Sequence, residues 1–426
     1  MDAAQPIAGL GLTEQDVVNA YIYILARYLV IRQERTDIAE EGVDYNVIKF
    51  NELGKAEFVN PNLDVAYLEA WFAVDERTPV ILEIPVVESR YYTAQIMDEW
   101  ADVLYNVNER TFPTQPHGKF ALCPKGSNPP IPDGALRIDL PSKKAKMLAR
   151  VERKGDDEGA MALQHAFRII PTGTPTIEPA VEVPLFSNAA PVAADAFTRP
   201  MLTRVLDSAP DAMSLAPGMR ASAEVIANYV AEDAAHRTMI DTIIKQKALP
   251  ALVAFIRSYG DKRGGWIATT GKPTGFGEDY WFRTAANFAG IWWNNNHEVV
   301  YFIGEADASG VPLNGDNVYH LHFTAEDLPQ KHVNAYWSLT LMGLPDYRVV
   351  PNSLDRYSLN NLSEFEYGSD GSLDLYLAAT LPPQAAKSNW LPSPAGRPFT
   401  LNLRLYVPKP EVLSGEYYAP PIERSH

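Results

Sequence analysis

Cysteine is all but missing from this chain: Cys123 is the single one in 426 residues. That excludes an internal disulfide framework and any zinc centre built on several thiolates. Basic residues are in deficit, 37 Lys and Arg against 53 Asp and Glu, for a formal charge of −16. Affinity for phosphate backbones and anionic lipid comes mainly from neutralising cations, so neither nucleic acid nor a membrane surface is the expected partner. Long hydrophobic runs are lacking too. The longest apolar stretch, 17–31, is interrupted by Arg27 and bracketed by Asp16 and Arg32, which argues against a membrane span. The opening Met1-Asp2-Ala3-Ala4-Gln5-Pro6 lacks the basic start and apolar core of a secretory leader. The expectation is a cytoplasmic protein, or a periplasmic or secreted one if a leader has been removed.

What is present is ordinary for a globular protein: 46% hydrophobic and 21% charged residues, in a length that predicts two or three domains. Thr13-Glu14-Gln15-Asp16 reads as a capping box opening an amphipathic helix, within an N-terminal helical segment over 1–44. Short β-branched and aromatic runs follow at 47–50, 66–74, 80–86, 91–97 and 119–123, punctuated by Pro, Gly, Asn and Asp. They predict a first β domain over 45–175, with a helix near 156–167. Apolar residues at helical spacing then predict a helical insert or linker over 176–280, with Pro250 starting or kinking a helix. A helix over 279–293 precedes returning strands at 299–303, 318–323, 335–341, 373–377 and 399–407, which mark a second β domain over 281–426 with a Pro-containing tail. The fold class expected is mainly β with an α insert: two β-sandwich or jelly-roll-like units joined by a helical segment.

Familiar catalytic motifs fail on inspection. The segment 265–273 imitates a phosphate loop, but its glycine spacing is one residue too long and Pro273 stands where Ser or Thr would hold magnesium. His297-Glu298 begins like a metalloprotease helix, yet Tyr301 occupies the place of the second histidine. No Gly-x-Ser-x-Gly elbow and no Rossmann glycine spacing occur. His320 and His322 alternate on one predicted strand face, as two metal-binding nitrogens would, with Glu298 or His297 as a further ligand if the strands are neighbours. Two histidines hydrogen-bonded on a solvent-facing strand are the simpler alternative.

The N-terminal unit has a denser cluster. Asn62, Asp64 and Tyr67 stand at the start of one strand; Arg90, Tyr92 and Asp98 follow near its expected hairpin partner and nominally share a face. A carboxylate, a phenol and a guanidinium together suit general acid/base work: Asp64 or Asp98 as acid/base, Tyr67 or Tyr92 as proton partner, Arg90 polarising an oxygen. Turn capping by Asp64 and Asn62, and a hairpin-holding ion pair for Arg90, compete with that reading. In the C-terminal unit Asp355, Arg356 and Arg404 are candidates for an ion-pair network. Trp337 and Trp390 would wall a substrate pocket or fill a core.

These residues also carry a family resemblance. Asn62-Leu63-Asp64-Val65-Ala66-Tyr67, Arg90-Tyr91-Tyr92 and Lys119-Phe120 resemble domain of unknown function 1254. His322-Phe323, Tyr336-Trp337-Ser338, Asn352-Ser353-Leu354-Asp355-Arg356-Tyr357, Ser388-Asn389-Trp390-Leu391-Pro392 and Leu403-Arg404-Leu405-Tyr406-Val407-Pro408 resemble its usual companion, domain of unknown function 1214. The resemblance implies two jelly-roll-like domains in one chain, similar to double-barrel capsid subunits, and no agreed activity. Two departures stand out: the Asp-Thr-x-Tyr turn reads Asp64-Val65-Ala66-Tyr67, and His320 replaces an apolar residue. The leading functional expectation is a hydrolase- or lyase-type enzyme acting on a small, partly apolar or sugar-like molecule. No cofactor is expected, although a divalent metal would change that reading. The alternatives are a metal-dependent enzyme using His320 and His322, and a non-catalytic assembly protein. A homo-oligomer is expected in either case.

Overall fold

The computed structural model describes residues 6–54, 62–271, 275–345 and 347–425. Four β-sheets carry the framework, paired into two sandwiches, and no closed barrel occurs among the described residues. In the N-terminal sandwich a five-stranded sheet runs in the order Lys49–Phe50, Val65–Ala73, Lys144–Glu152, Tyr92–Met97, Val103–Val107. It faces a four-stranded sheet ordered Leu136–Leu140, Gly118–Pro124, Val80–Ile84, Arg168–Pro171. Ala66, Leu68, Phe72, Ala94, Ile96, Met147 and Val151 of the first sheet meet Leu82, Ile84, Phe120 and Leu122 of the second in one apolar core.

The C-terminal sandwich repeats this plan. Its larger sheet orders Trp266–Ala268, Val299–Gly304, Phe399–Tyr406, Trp337–Gly343 and Arg348–Val349, with Asp261–Arg263 added at one edge and Ser358–Asn360 also paired to Trp337–Gly343. Its smaller sheet orders Trp390–Pro392, Leu373–Ala378, Val318–Phe323 and Glu423–Ser425. Taken in chain order, each of the nine strands of the N-terminal sandwich has a counterpart in the C-terminal one, which adds Asp261–Arg263 and has two short strands, Arg348–Val349 and Ser358–Asn360, where the first has Val103–Val107. Both carry one parallel edge pair, Gly118–Pro124 with Leu136–Leu140 and Leu373–Ala378 with Trp390–Pro392. Each also places a helix after its last long strand, Asp157–Ala166 and Pro410–Ser414. The two sandwiches therefore share one topology, a repeat that no short sequence period discloses.

The helices form a layer of their own. Helix Glu14–Ile38 opens with the expected capping box, Asp16 N donating to Thr13 Oγ1 at 3.2 Å and Thr13 N to Asp16 Oδ2 at 2.8 Å. It is not amphipathic in place. Every residue from Val17 to Ile31 except Asn19 is buried, because the insert helices Ala216–Glu232 and Ala234–Ile243 and the helix Tyr280–Gly290 pack round it. The N-terminal segment and the insert thus make one helical unit, with a share of the segment expected in the second β domain. Pro250 sits in the first turn of Leu249–Ser258, directly after a π-helical stretch Ile244–Ala248. Where a phosphate loop is imitated, Gly264 and Gly265 take positive φ in the hairpin turn between Asp261–Arg263 and Trp266–Ala268; Lys272 and Pro273 lie outside the described residues. No helix among the described residues is long and apolar enough to cross a membrane.

Candidate active site between the sandwiches

Alternation along strand Lys144–Glu152 puts Ala145, Met147, Ala149 and Val151 into the sandwich core. The opposite face then carries Lys144, Lys146, Leu148, Arg150 and Glu152. Such a face would be solvated on an ordinary sandwich. Here the helical layer and the second sandwich cover it, so its charges are matched in place. Lys144 pairs with Glu34 at 2.9 Å, and Lys146 with Asp37 and Glu69 at 2.8 Å each. Nearby, the buried Arg27 of the N-terminal helix pairs with Glu99 at 3.1 Å.

Further along, the same face meets the polar face of the C-terminal large sheet in a buried layer of polar side chains, called the chamber below. Register pairs Tyr67 and Thr93 with Arg150 in the first sandwich. In the second, Tyr301 and Ser338 pair with Arg404. Asp64 immediately precedes the strand that carries Tyr67, and Glu298 the strand that carries Tyr301. Ser338 is opposite Asn360; Gln95 is opposite Asn106, which puts Asn108 beside Thr93. The chamber is thus built by equivalent residues of the two repeats: Tyr67 and Tyr301, Arg150 and Arg404, Tyr91 and Tyr336, Asn108 and Asn360, Asp64 and Glu298.

Hydrogen bonds cross between the repeats in the same reciprocal way. Asn360 donates to Asp64 Oδ1 at 2.6 Å, and Asn108 to Glu298 Oε1 at 2.9 Å. Asn62 donates to the hydroxyls of Tyr336, at 2.9 Å, and Tyr406. Tyr336 and Tyr406 stack at 4.3 Å, with Tyr91 edge-on to both.

The symmetry breaks at the carboxylates. Glu298 also accepts from Tyr91 at 2.9 Å and forms an ion pair with Arg110 at 2.8 Å. Asp64 forms no such ion pair among the described residues, Arg404 and Arg153 acting on it only from a distance, and its buried Oδ2 meets the buried Ser338 Oγ without a well-aligned hydrogen bond. Burial lifts the Asp64 pKa above the usual carboxylate range, against the opposing pull of Asn360, Ser338, Arg404 and Arg153. Arg150 is 5% exposed, and its one hydrogen bond goes to Gln95 Oε1 at 2.6 Å, with no carboxylate in ion-pair distance among the described residues. The Tyr67 ring lies 5.5 Å from its guanidinium carbon, and Tyr301, Tyr91 and Tyr406 also surround it. Burial holds the Tyr406 hydroxyl protonated well above its ordinary range and raises that of Tyr301 as well.

Of the expected site residues, Asn62, Asp64, Tyr67 and Arg404 meet in this chamber, Arg404 donating to Thr340 Oγ1 at 2.9 Å. The others do not. The strand parity is the reverse of that expected: Tyr91, Thr93 and Gln95 face the chamber, while Tyr92 points into the sandwich core and donates to the Pro116 carbonyl at 2.8 Å. Arg90 pairs with Asp156 at 2.8 Å and bonds the carbonyls of Glu152 and Arg153, so it ties the strand end to the cap of helix Asp157–Ala166. Asp98 closes a turn, accepting from Trp100 N and Asp102 N. Trp337 is fully buried in the C-terminal core. Asp355 is exposed and accepts from Tyr357, Arg356 donates to the Trp390 carbonyl at 2.9 Å, and Trp390 Nε1 to the Ala378 carbonyl. They join no network with Arg404. Glu298 serves the chamber and is no ligand beside His320 and His322, whose neighbour is Asp374. Arg150 and Tyr301 escape the sequence reading. The alternation of Lys144, Lys146 and Arg150 with Ala145, Met147, Ala149 and Val151 is the signal that exposes Arg150.

This architecture defines a class, a two-sandwich protein whose polar site lies where its repeats meet. Residues 46–171 match the family described as Protein of unknown function (DUF1254), and residues 298–410 match Protein of unknown function (DUF1214). The chain belongs to the two-domain family that joins them in this order. Among curated proteins none matches. The crystal structure of the VPA0106 protein from Vibrio parahaemolyticus is similar over 97% of this chain and 100% of its own, at 20% identity and a TM-score of 0.66, which shows a shared fold. A putative uncharacterized protein from Burkholderia cenocepacia aligns over 96% of this chain and 94% of its own, at 12% identity and a TM-score of 0.45.

Proposed function

We propose that the chamber is the active site of a hydrolase- or lyase-type enzyme that works by acid/base chemistry on a small, partly apolar molecule bearing an anionic group. One observation carries this reading: of two equivalent buried carboxylates, Glu298 is neutralised by an ion pair, whereas Asp64 has none among the described residues and keeps an oxygen without a well-aligned hydrogen bond, and burial raises its proton affinity. A carboxyl group so placed suits a general acid or base. Arg150 supplies a buried cation without a carboxylate partner among the described residues, and buried charge is costly unless matched, so an anionic ligand group is its natural complement. The aromatic rings of Tyr67, Tyr91 and Tyr301 suit an apolar body beside that group. In this scheme Asp64 Oδ2 takes or delivers the proton, Arg150 fixes the anionic group, and the Tyr301 phenol donates to oxygen that gains charge in the transition state.

The two sandwiches are, on this reading, jelly-roll derivatives. Their common strand order supports that description, and the parallel edge pairs are the point at which they depart from an all-antiparallel roll.

The test is turnover of a panel of small carboxylated esters, lactones and hydroxy acids, read by mass spectrometry for the wild type and Asp64→Asn. The reading expects a converted compound with the wild type and at least about a 100-fold loss in the variant. Equal conversion by both would remove Asp64 from the chemistry.

A further inference from the structure

On the far side of the C-terminal sandwich, strand Val318–Phe323 sends Tyr319, Leu321 and Phe323 into the core and leaves His320 and His322 on the outer face. The neighbouring strand places Asp374 directly opposite His322 and Tyr376 opposite His320. His320 Nε2 and His322 Nδ1 both lie against one oxygen, Asp374 Oδ1, at 2.7 and 2.6 Å. The three ligand atoms are all within 4.8 Å of one another. The His320 ring is partly buried and stacked on Tyr376 at 4.9 Å, which fixes its orientation. Asn389 Nδ2 holds the Asp374 carbonyl at 3.0 Å. Glu423 stands opposite His320 on the other neighbouring strand, and the Asp370 charge bears on His322. Two imidazoles thus share a single carboxylate oxygen in an acidic, water-facing setting.

We propose that His320, His322 and Asp374 form a binding site for one divalent transition-metal ion of the Zn²⁺ or Co²⁺ type, with water completing the coordination. Two imidazoles and a carboxylate are a donor set for such ions and a poor one for Mg²⁺ or Ca²⁺, which prefer oxygen throughout. Metal–nitrogen and metal–oxygen bonds of about 2.0–2.2 Å need ligand atoms about 3 Å apart. The separations to the shared oxygen are a few tenths of an ångström short of that, a change that the torsions of exposed His322 and half-buried Asp374 absorb. The ion would replace whatever proton the imidazoles share with the carboxylate, and the surrounding acids raise its local concentration. The site belongs to the smaller sheet, whereas the chamber lies on the larger one, so its success or failure says nothing about Asp64.

Untagged full-length protein, stripped with a chelator, is titrated with Co²⁺ and followed by its visible absorption; Zn²⁺ then displaces the Co²⁺. One equivalent per chain is expected. His320→Ala and Asp374→Asn should each weaken binding by more than about 10-fold. His332→Ala should leave binding unchanged, since that ring is committed to Glu411 at 3.0 Å in another part of the sandwich. Circular dichroism melts check that each variant is folded, and His322→Asn gives a second folded test if His320→Ala fails. Absence of saturable binding in the wild type, or unchanged affinity in folded His320→Ala, His322→Asn and Asp374→Asn, would overturn the proposal.

Discussion

Replacing the two equivalent carboxylates one at a time should give opposite results. In Glu298→Gln one acceptor oxygen becomes an amide donor facing Tyr91 and Arg110, both of which already donate there at 2.9 and 2.8 Å. Removing one partner of a buried ion pair costs about 3–5 kcal/mol. The Arg110 side chain keeps 23% of its surface in water, so it recovers part of its hydration and the low end applies, about 3 kcal/mol. Asp64→Asn keeps an oxygen to accept from Asn360 and turns the unpartnered oxygen into a donor next to Ser338 Oγ. It also removes a charge that burial opposes. Its cost should fall within about 0.5 kcal/mol of zero, or its sign should reverse. Urea unfolding at neutral pH, followed by tryptophan fluorescence and far-UV circular dichroism, measures both. If Asp64→Asn destabilises the fold as much as Glu298→Gln does, Asp64 is a structural anchor and the argument from broken symmetry fails.

Two further perturbations probe other parts of the same account. Lys146→Met strands Asp37 and Glu69 in a buried place beneath Trp71 and Trp292, and should cost about 4 kcal/mol in the same unfolding assay; a loss under about 1 kcal/mol would mean those charges find water. Burial, reinforced by Asp102, pushes Asp98 up to about 7 from an unfolded value of 3.8. The folded state therefore binds this proton more tightly, and stability falls as pH rises from about 4 through 7, by at most about 4 kcal/mol. Asp98→Asn keeps an acceptor for Trp100 N and Asp102 N. It should be more stable than the wild type at pH 8 and indistinguishable from it near pH 4. Parallel pH profiles of the two proteins would contradict the assignment.

Local signals carried much of this structure. The capping box at Thr13 and Asp16 needs four residues, and strands such as Val318–Phe323 declare themselves by alternation alone. The face that alternation selects is another matter. Tyr91 and Tyr92 are chemically interchangeable neighbours, and only the packing of the second sheet decides that Tyr92 enters the core. Strand Lys144–Glu152 hid behind its charges, because a sheet face covered by helices looks in sequence like one left in water. That concealed Arg150, while Asp64 remained visible beside its turn. Glu298 follows a histidine and so suggested a metal ligand, yet its partners Tyr91, Asn108 and Arg110 are 188 to 207 positions away in the chain. The repeat itself was illegible, since the two sandwiches keep a strand order and a few chamber positions rather than a sequence.

If Arg150 makes the chamber a receptor for a small organic anion, equilibrium titration with such anions will show it. Benzoate-like and short aliphatic carboxylic acids, with their uncharged amides as controls, are titrated calorimetrically into the wild type, Asp64→Asn and Arg150→Met. The account predicts that the wild type and Asp64→Asn bind a carboxylate and ignore its amide. Arg150→Met should lose at least about tenfold in affinity, the equivalent of one charge-assisted hydrogen bond. Binding that is indifferent to the carboxylate, or undiminished in folded Arg150→Met, would contradict it.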